Sequence, residues 1–277
     1  MMARATAREG GTGSQGFRSR LSRLWHPRAY LLALGFLGGL GLGGSWGTWQ
    51  NLCAGDACPS IARISTFEHE QKSKILAADG EQIAEFGFET RTPIRITDLP
   101  AHVHQAVVAM EDKRFYQHRG FDPIGFTRAA IGVITFNYAG GGSTITQQLA
   151  RNLFTEIGFE QRYTRKIKEL QVALDLERSY TKEQILEAYL NEIYMGGVYG
   201  FQAASLRYFG KGVAEVNVAE AALLTAILNR PTWYNPFTNP ERALARRNTV
   251  LDLMAQQRYL TQSETELWKS FPLPEVE

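Results

Sequence analysis

Thr144, Thr181, Asn217 and Thr261 are each followed three residues later by Gln or Glu at the edge of a helical run. The pairs are Thr144 with Gln147, Thr181 with Gln184, Asn217 with Glu220 and Thr261 with Glu264. Such a pair satisfies two of the backbone N–H groups that a helix start leaves without partners, so each predicts a helix N-terminus. Ile167, Leu170 and Leu174 recur at helical spacing, and so do Ile185, Leu186, Tyr189 and Ile193. The stretch 219–228 is apolar on nearly every side and predicts a core helix. Upstream, Asp98 is read as the cap of a helix that puts Val103, Val107 and Met110 on one face, and Asp122-Pro123 opens another. The β signal is confined to residues 74–86, a hairpin turning at Asp79-Gly80, and to a short strand over 94–96. With no internal repeat, the expectation is a mainly α domain with a small β hairpin.

Charge is distributed unevenly. Residues 1–28 carry six Arg and one Glu, a net +5, which leaves −3 for the rest. A mildly acidic body excludes nucleic acid as a natural partner. Residues 29–55 contain no charge, enough apolar length for one membrane-spanning helix. Arg on one side only predicts an N-terminus in the cytoplasm and the remainder outside. The expected organisation is a basic tail at 1–28, a single transmembrane helix at 29–49, a connector at 50–73 and a catalytic domain at 74–277. Cys53 and Cys58, just beyond the anchor, could close a short disulfide in an oxidising exterior or remain two free thiols. Residues 129–150 are again uncharged but broken by Gly140-Gly141-Gly142, which suits an element lying in a lipid interface better than one crossing it.

Chemistry concentrates in three places. Glu111 ends the apolar helix, where lost hydration raises a carboxylate's pKa and lets it accept a proton near neutrality. Asp112 and His118 could orient it. The glycine turn before Thr144 opens a helix with Thr144, Gln148 and Arg151 on one polar stripe. Arg165 and Lys166 stand four and three residues before Glu169, so all three share a helix face. Taken blandly, this is a surface salt-bridge ladder; taken functionally, it is a set of cations for a phosphorylated leaving group. No Lys-Ser/Thr ending marks the glycine turn as a nucleotide loop. His102, His104 and His118 match no strong zinc spacing. A divalent ion bridging Glu111 or Glu169 to a pyrophosphate is compatible with these residues.

In order, these blocks resemble the five motifs of the peptidoglycan glycosyltransferases (glycosyltransferase family 51). The first is Glu111-Asp112-x-x-Phe115-x-x-His118-x-Gly120. Next come Gly141-x-Ser143-Thr144-Ile145-Thr146-Gln147-Gln148, Arg165-Lys166-x-x-Glu169 and Lys182-x-x-Ile185-Leu186-x-x-Tyr189-Leu190-Asn191. The last is Arg246-x-x-x-Val250-Leu251. The hairpin sequence around Asp79-Gly80 is similar to that of class A penicillin-binding proteins, which implies the polymerase end of a longer gene, with a monofunctional enzyme as the alternative. One departure is Gln161-Arg162-Tyr163-Thr164, where the family's Arg before the third motif has moved by one residue.

The resemblance implies a lysozyme-like, mainly α glycosyltransferase domain with a membrane-associated jaw at about 121–142. It implies polymerisation of lipid II on the outer or periplasmic face of the cytoplasmic membrane, alongside other cell-wall synthesis proteins. Glu111 would be the base, with Glu169 the second catalytic residue. Asp112, Phe115, His118, Ser143, Thr144, Gln147, Gln148, Arg151, Arg165, Lys166 and Asn191 would be substrate-binding. No cofactor is required, with Mg²⁺ or Mn²⁺ near Glu111 or Glu169 as the open alternative. Two rivals remain: a lysozyme-like hydrolase or lytic transglycosylase, which needs two carboxylates flanking the bond and no dense cation cluster, and a silent anchored scaffold.

Overall fold

A computed structural model describes residues 93–135, 141–154 and 162–274 without interruption, the strand segments 73–77 and 82–86, and the single residues Gly47, Ile61 and Ile157. The basic tail, the 29–49 run apart from Gly47, both cysteines and the Asp79-Gly80 turn lie outside these residues. Among the described residues no helix is long and apolar enough to cross a membrane. The chain divides into two compact units, Met1–Ala54 and Gly55–Glu277, and the regular elements from Ser73 onward belong to the second.

Strands β1 (Ser73–Leu76) and β2 (Gln82–Phe86) pair antiparallel with Ser73 opposite Phe86 and an irregularity after Ile75. The remaining regular elements are helical: α1 (Ala101–Glu111), α2 (Pro123–Ile134), α3 (Ile145–Leu153), α4 (Arg162–Ser179), α5 (Lys182–Glu192), α6 (Gly200–Phe209), α7 (Val218–Ile227), α8 (Pro240–Gln256) and α9 (Gln262–Lys269). All four predicted capping boxes form, at the starts of α3, α5, α7 and α9.

Two expectations fail near the start of α1. Asp98 does not cap it. Leu99 is extended, with φ −96° and ψ 141°, because a residue preceding proline is driven out of the helical region. Asp98 therefore closes a single 3-10 turn, Ile96–Asp98, and Pro100 takes the N-cap of α1. Nor do residues 94–96 form a strand. Asn191 of α5 donates Nδ2 to the Ile94 carbonyl at 2.9 Å and accepts the Ile94 N–H at 2.9 Å, while Glu187 accepts the Ile96 N–H at 2.8 Å. Side chains of α5 take the place of a partner strand, which no apolar alternation could have revealed.

Helix α7 is the centre of the core. Eight of its ten residues are buried, and it packs against α1 and α8, with Ala106, Ala109, Ala222, Ala226, Val250, Leu251 and Met254 forming one apolar cluster. Small residues on α1 and α7 let the backbones approach closely. A second group, α3, α4 and α5, packs around Leu149, Leu153, Val172, Leu176, Ile185 and Leu186. Each large side chain buried here contributes about 1.5–3 kcal/mol relative to leaving it exposed. The C-terminal end of α1 meets α3 where these two groups join.

Helix α2 is built the other way round. Gly125 and Gly132, seven residues apart, are buried, whereas Ile124, Phe126 and Ile131 are 58%, 55% and 54% exposed. Among the described side chains, the helix thus buries glycine and turns three large apolar residues outward. Its start follows the predicted pattern, with Asp122 accepting the Ile124 N–H at 3.0 Å.

Candidate active site

Glu111 is the last residue of α1, and its carboxylate is held by one amide donor on each oxygen. Gln148 Nε2 of α3 donates to Oε2 at 2.9 Å, and Asn229 Nδ2, just past α7, donates to Oε1 at 2.8 Å. Burial among apolar helices pushes its pKa above the ordinary glutamate value; the two amides and the charge of Arg246 oppose that rise without cancelling it, and Asp112 adds to it. The carboxylate is thus a better proton acceptor than an ordinary surface glutamate, and it is fixed in orientation.

Behind it lies a buried brace. His118 Nε2 donates to both oxygens of Asp112, at 3.0 and 2.9 Å, and Asp112 Oδ2 accepts the Ile145 N–H at 3.1 Å, the first residue of α3. Thr144 Oγ1 donates to the Gly120 carbonyl at 2.8 Å, and Gln147 completes the capping box. Gly120 has φ +82°, and a Cβ there would lie 2.9 Å from the Ala173 carbonyl of α4. The first motif therefore ends on the one residue type that can turn beneath α3 and still clear α4.

The second centre gathers around Glu169 of α4, which has no solvent exposure. Arg151 Nε lies 3.0 Å from it, Arg165 Nε 3.6 Å and Lys166 Nζ 2.6 Å. Lys166 also donates to Ser143 Oγ at 2.8 Å. The side chains of Lys166, Arg151 and Arg165 retain 43%, 37% and 28% exposure, so their outward sides face solvent while a buried carboxylate fastens them from within. Three cations around one carboxylate leave a local surplus of two positive charges.

The centres are joined by α3. Gln148, which holds Glu111, and Arg151, which pairs with Glu169, stand three residues apart and so lie on one helix face. The sequence pattern predicts this shared stripe. Several residues expected to bind substrate instead support the frame. Phe115 is fully buried beneath Lys182 Nζ, 4.2 Å from its ring centre. Asp112, His118, Thr144 and Gln147 are buried in the brace, and Asn191 is consumed by the Ile94 backbone and the Glu187 carbonyl. Glu169 itself is enclosed by its three cations, with no solvent exposure. The residues left facing the site are Glu111, Ser143, Gln148, Arg151, Arg165 and Lys166.

Asn229 and the roles of Tyr189 and Arg246 were not foreseen. Asn229 is the first polar residue after the apolar run of α7, an available signal. Tyr189 looked like one more apolar position of α5; its hydroxyl donates to Gln148 Oε1 at 3.1 Å. In the fifth motif, Arg246 faces Glu111 electrostatically and lies 5.5 Å from the Tyr234 ring. Val250 and Leu251 of that motif are core residues.

A family model described as Transglycosylase matches residues 79–255, a span that contains both centres and the brace. The chain belongs to the transglycosylase family, as a glycosyltransferase domain of the kind found in class A penicillin-binding proteins. Among its relatives, penicillin-binding protein 1A of Vibrio cholerae is 41% identical over 217 residues, 78% of this chain and 26% of that protein. Penicillin-binding protein 1A of Aquifex aeolicus is 43% identical over 221 residues, 78% of this chain and 30% of the relative. The chain thus spans less than a third of the length of these curated relatives. A crystal structure of penicillin-binding protein 1A from Haemophilus influenzae aligns over 75% of this chain and 21% of its own, with 24% identity and a TM-score of 0.44.

Proposed function

We propose that this chain polymerises the glycan of peptidoglycan, transferring a lipid-linked glycan chain onto the sugar 4-hydroxyl of lipid II. One observation carries the reading: a desolvated, doubly held carboxylate and a solvent-facing cluster of three cations are tied together by Gln148 and Arg151, which share one face of α3. Glu111 removes the proton of the acceptor hydroxyl as that oxygen attacks C1 of the donor chain. The bond from C1 to the phosphate oxygen breaks on the opposite side, configuration inverts to β, and undecaprenyl pyrophosphate leaves. Arg151, Arg165 and Lys166 receive the negative charge that develops on the departing diphosphate. Glu169 holds those cations in place.

A hydrolase is less well supported, because a glycosidase of this kind would need a second carboxylate across the scissile bond. Asp112 is turned into the brace and Glu169 is buried beneath its cations. The same surroundings suit a divalent ion poorly. Glu169 is already neutralised by three cations. The cations themselves are assigned the role that Mg²⁺ or Mn²⁺ would otherwise fill. Lipid-linked substrates place the reaction at the outer face of the cytoplasmic membrane, with the uncharged run at 29–49 as single-pass anchor. The outward apolar residues of α2 would be the jaw that rests in the lipid interface.

Incubation of the purified chain with lipid II is expected to yield glycan strands. Glu111→Gln should lower turnover by a factor on the order of 10²–10⁴ with the fold intact, and Glu169→Gln by about 10². Release of muropeptides from intact cell wall, with no strands from lipid II, would establish the hydrolase instead. Near-normal turnover of Glu169→Gln would remove the leaving-group role.

A further inference from the structure

Tyr189 sits in the middle of α5 with its ring fully buried, and its hydroxyl donates to Gln148 Oε1 at 3.1 Å. Gln148 donates its other end, Nε2, to Glu111 Oε2 at 2.9 Å. A carboxamide has one donor end and one acceptor end, whereas an ionised carboxylate only accepts. Gln148 therefore supports Glu111 only while its NH₂ faces the carboxylate. Turned by half a rotation, it would set oxygen against oxygen at hydrogen-bond distance. Nothing in the amide itself prevents that turn; a donor fixed at its far end does.

We propose that Tyr189 is a positioning residue for the base: its buried hydroxyl pins the Gln148 amide so that the donor end faces Glu111 and favours the ionised, proton-accepting carboxylate. The proposal rests on the reading of Glu111 as the base. Burial holds the Tyr189 hydroxyl protonated far beyond neutral pH, so it does not compete for the acceptor's proton and keeps an O–H to donate to Gln148 Oε1 while the acceptor-only carboxylate takes the amide's other end. The charged groups facing this chain of contacts are Arg246 from α8, Arg151 from α3 and Asp112 beyond α1. Of these, Arg246 favours the carboxylate, Asp112 opposes it, and Arg151 acts on the Tyr189 hydroxyl. None of them can orient a neutral amide, so the hydroxyl has no substitute among them.

Tyr189→Phe keeps the buried ring and removes the hydroxyl. With lipid II as substrate, the variant is expected to lose about 3- to 10-fold in kcat at neutral pH with KM unchanged. The acid limb of its pH–rate profile should move up by roughly half to one unit, since an unpinned amide no longer supports the anion. Gln148→Met should shift the limb in the same direction, and the double variant should be no worse than Gln148→Met alone, the mark of two residues acting in series. An acid limb superimposable on the parent's, or additive losses in the double variant, would overturn the proposal. Should Tyr189→Phe fail to fold by circular dichroism, Gln148→Met still decides: an unshifted limb there overturns it equally. Glu111→Gln separates the two levels. If it stays active, the base reading and this proposal fall together; if it is inactive while Tyr189→Phe leaves the limb unmoved, only the role of Tyr189 is lost.

Discussion

Glu111 stores a conflict between stability and chemistry. Folding strips water from its carboxylate and raises its pKa, so the folded chain holds that proton more tightly than the unfolded chain does. Stability from this residue is greatest below the unfolded value, roughly pH 4, and is lost as pH rises through the raised folded value. Glu111→Gln removes a group that is costly to ionise. The variant should therefore melt at a higher temperature than the parent near pH 7, with the gap closing as pH falls toward 4. Calorimetric melts across that range test it, and a gap that widened on acidification would contradict the burial of this carboxylate. The position of Glu111 was legible because a helix period runs straight into it. Its two amide holders were not, because Asn229 lies more than a hundred residues away and nothing local in sequence ties the two.

At the scale of elements, the helix starts were the most readable feature, since a capping box is complete within four residues. Long-range fasteners were the least readable. Asp112 looked like a partner for Glu111 or a substrate contact, yet it joins the end of α1 directly to the first amide of α3 while His118 holds its carboxylate. Asn191 looked like part of the cleft and instead clips an extended segment onto α5. In both cases a polar residue in a motif satisfies buried backbone, a role fixed by tertiary packing and invisible in spacing. Gly120 shows what such a joint costs to disturb. Gly120→Ala must adopt a left-handed φ and press a methyl group against the Ala173 carbonyl. It should destabilise the domain by about 2–4 kcal/mol, measured by urea unfolding, and lower polymerisation by displacing α3. Parent-like stability would mean that the turn beneath α3 is less constrained than its geometry indicates.

For the molecule as a whole, the exposed apolar residues of α2 matter most. A helix that buries glycine and displays Ile124, Phe126 and Ile131 is inverted relative to a soluble amphipathic helix. The charge pattern alone places the interfacial stretch at 129–150, because charge-free length is its signal and Arg128 interrupts it, whereas the exposed apolar residues of α2 begin at Ile124. With the chain in phosphatidylglycerol vesicles, amide exchange across 123–134 should be slower than in detergent, and the double substitution Ile124→Ser with Ile131→Ser should erase the difference. Equal exchange in both media would mean that another surface meets the lipid.

The placement of Gln148 and Arg151 on α3 has a further bearing on how such a chain can vary. A helix advances by a fixed rise and turns about 100° with every residue, so the separation between Gln148, which holds Glu111, and Arg151, which pairs with Glu169, is set by its pitch. Side chains along that turn can be exchanged for others of like reach. A single inserted or deleted residue would swing one of them out of alignment, so over this stretch length is held more strictly than composition.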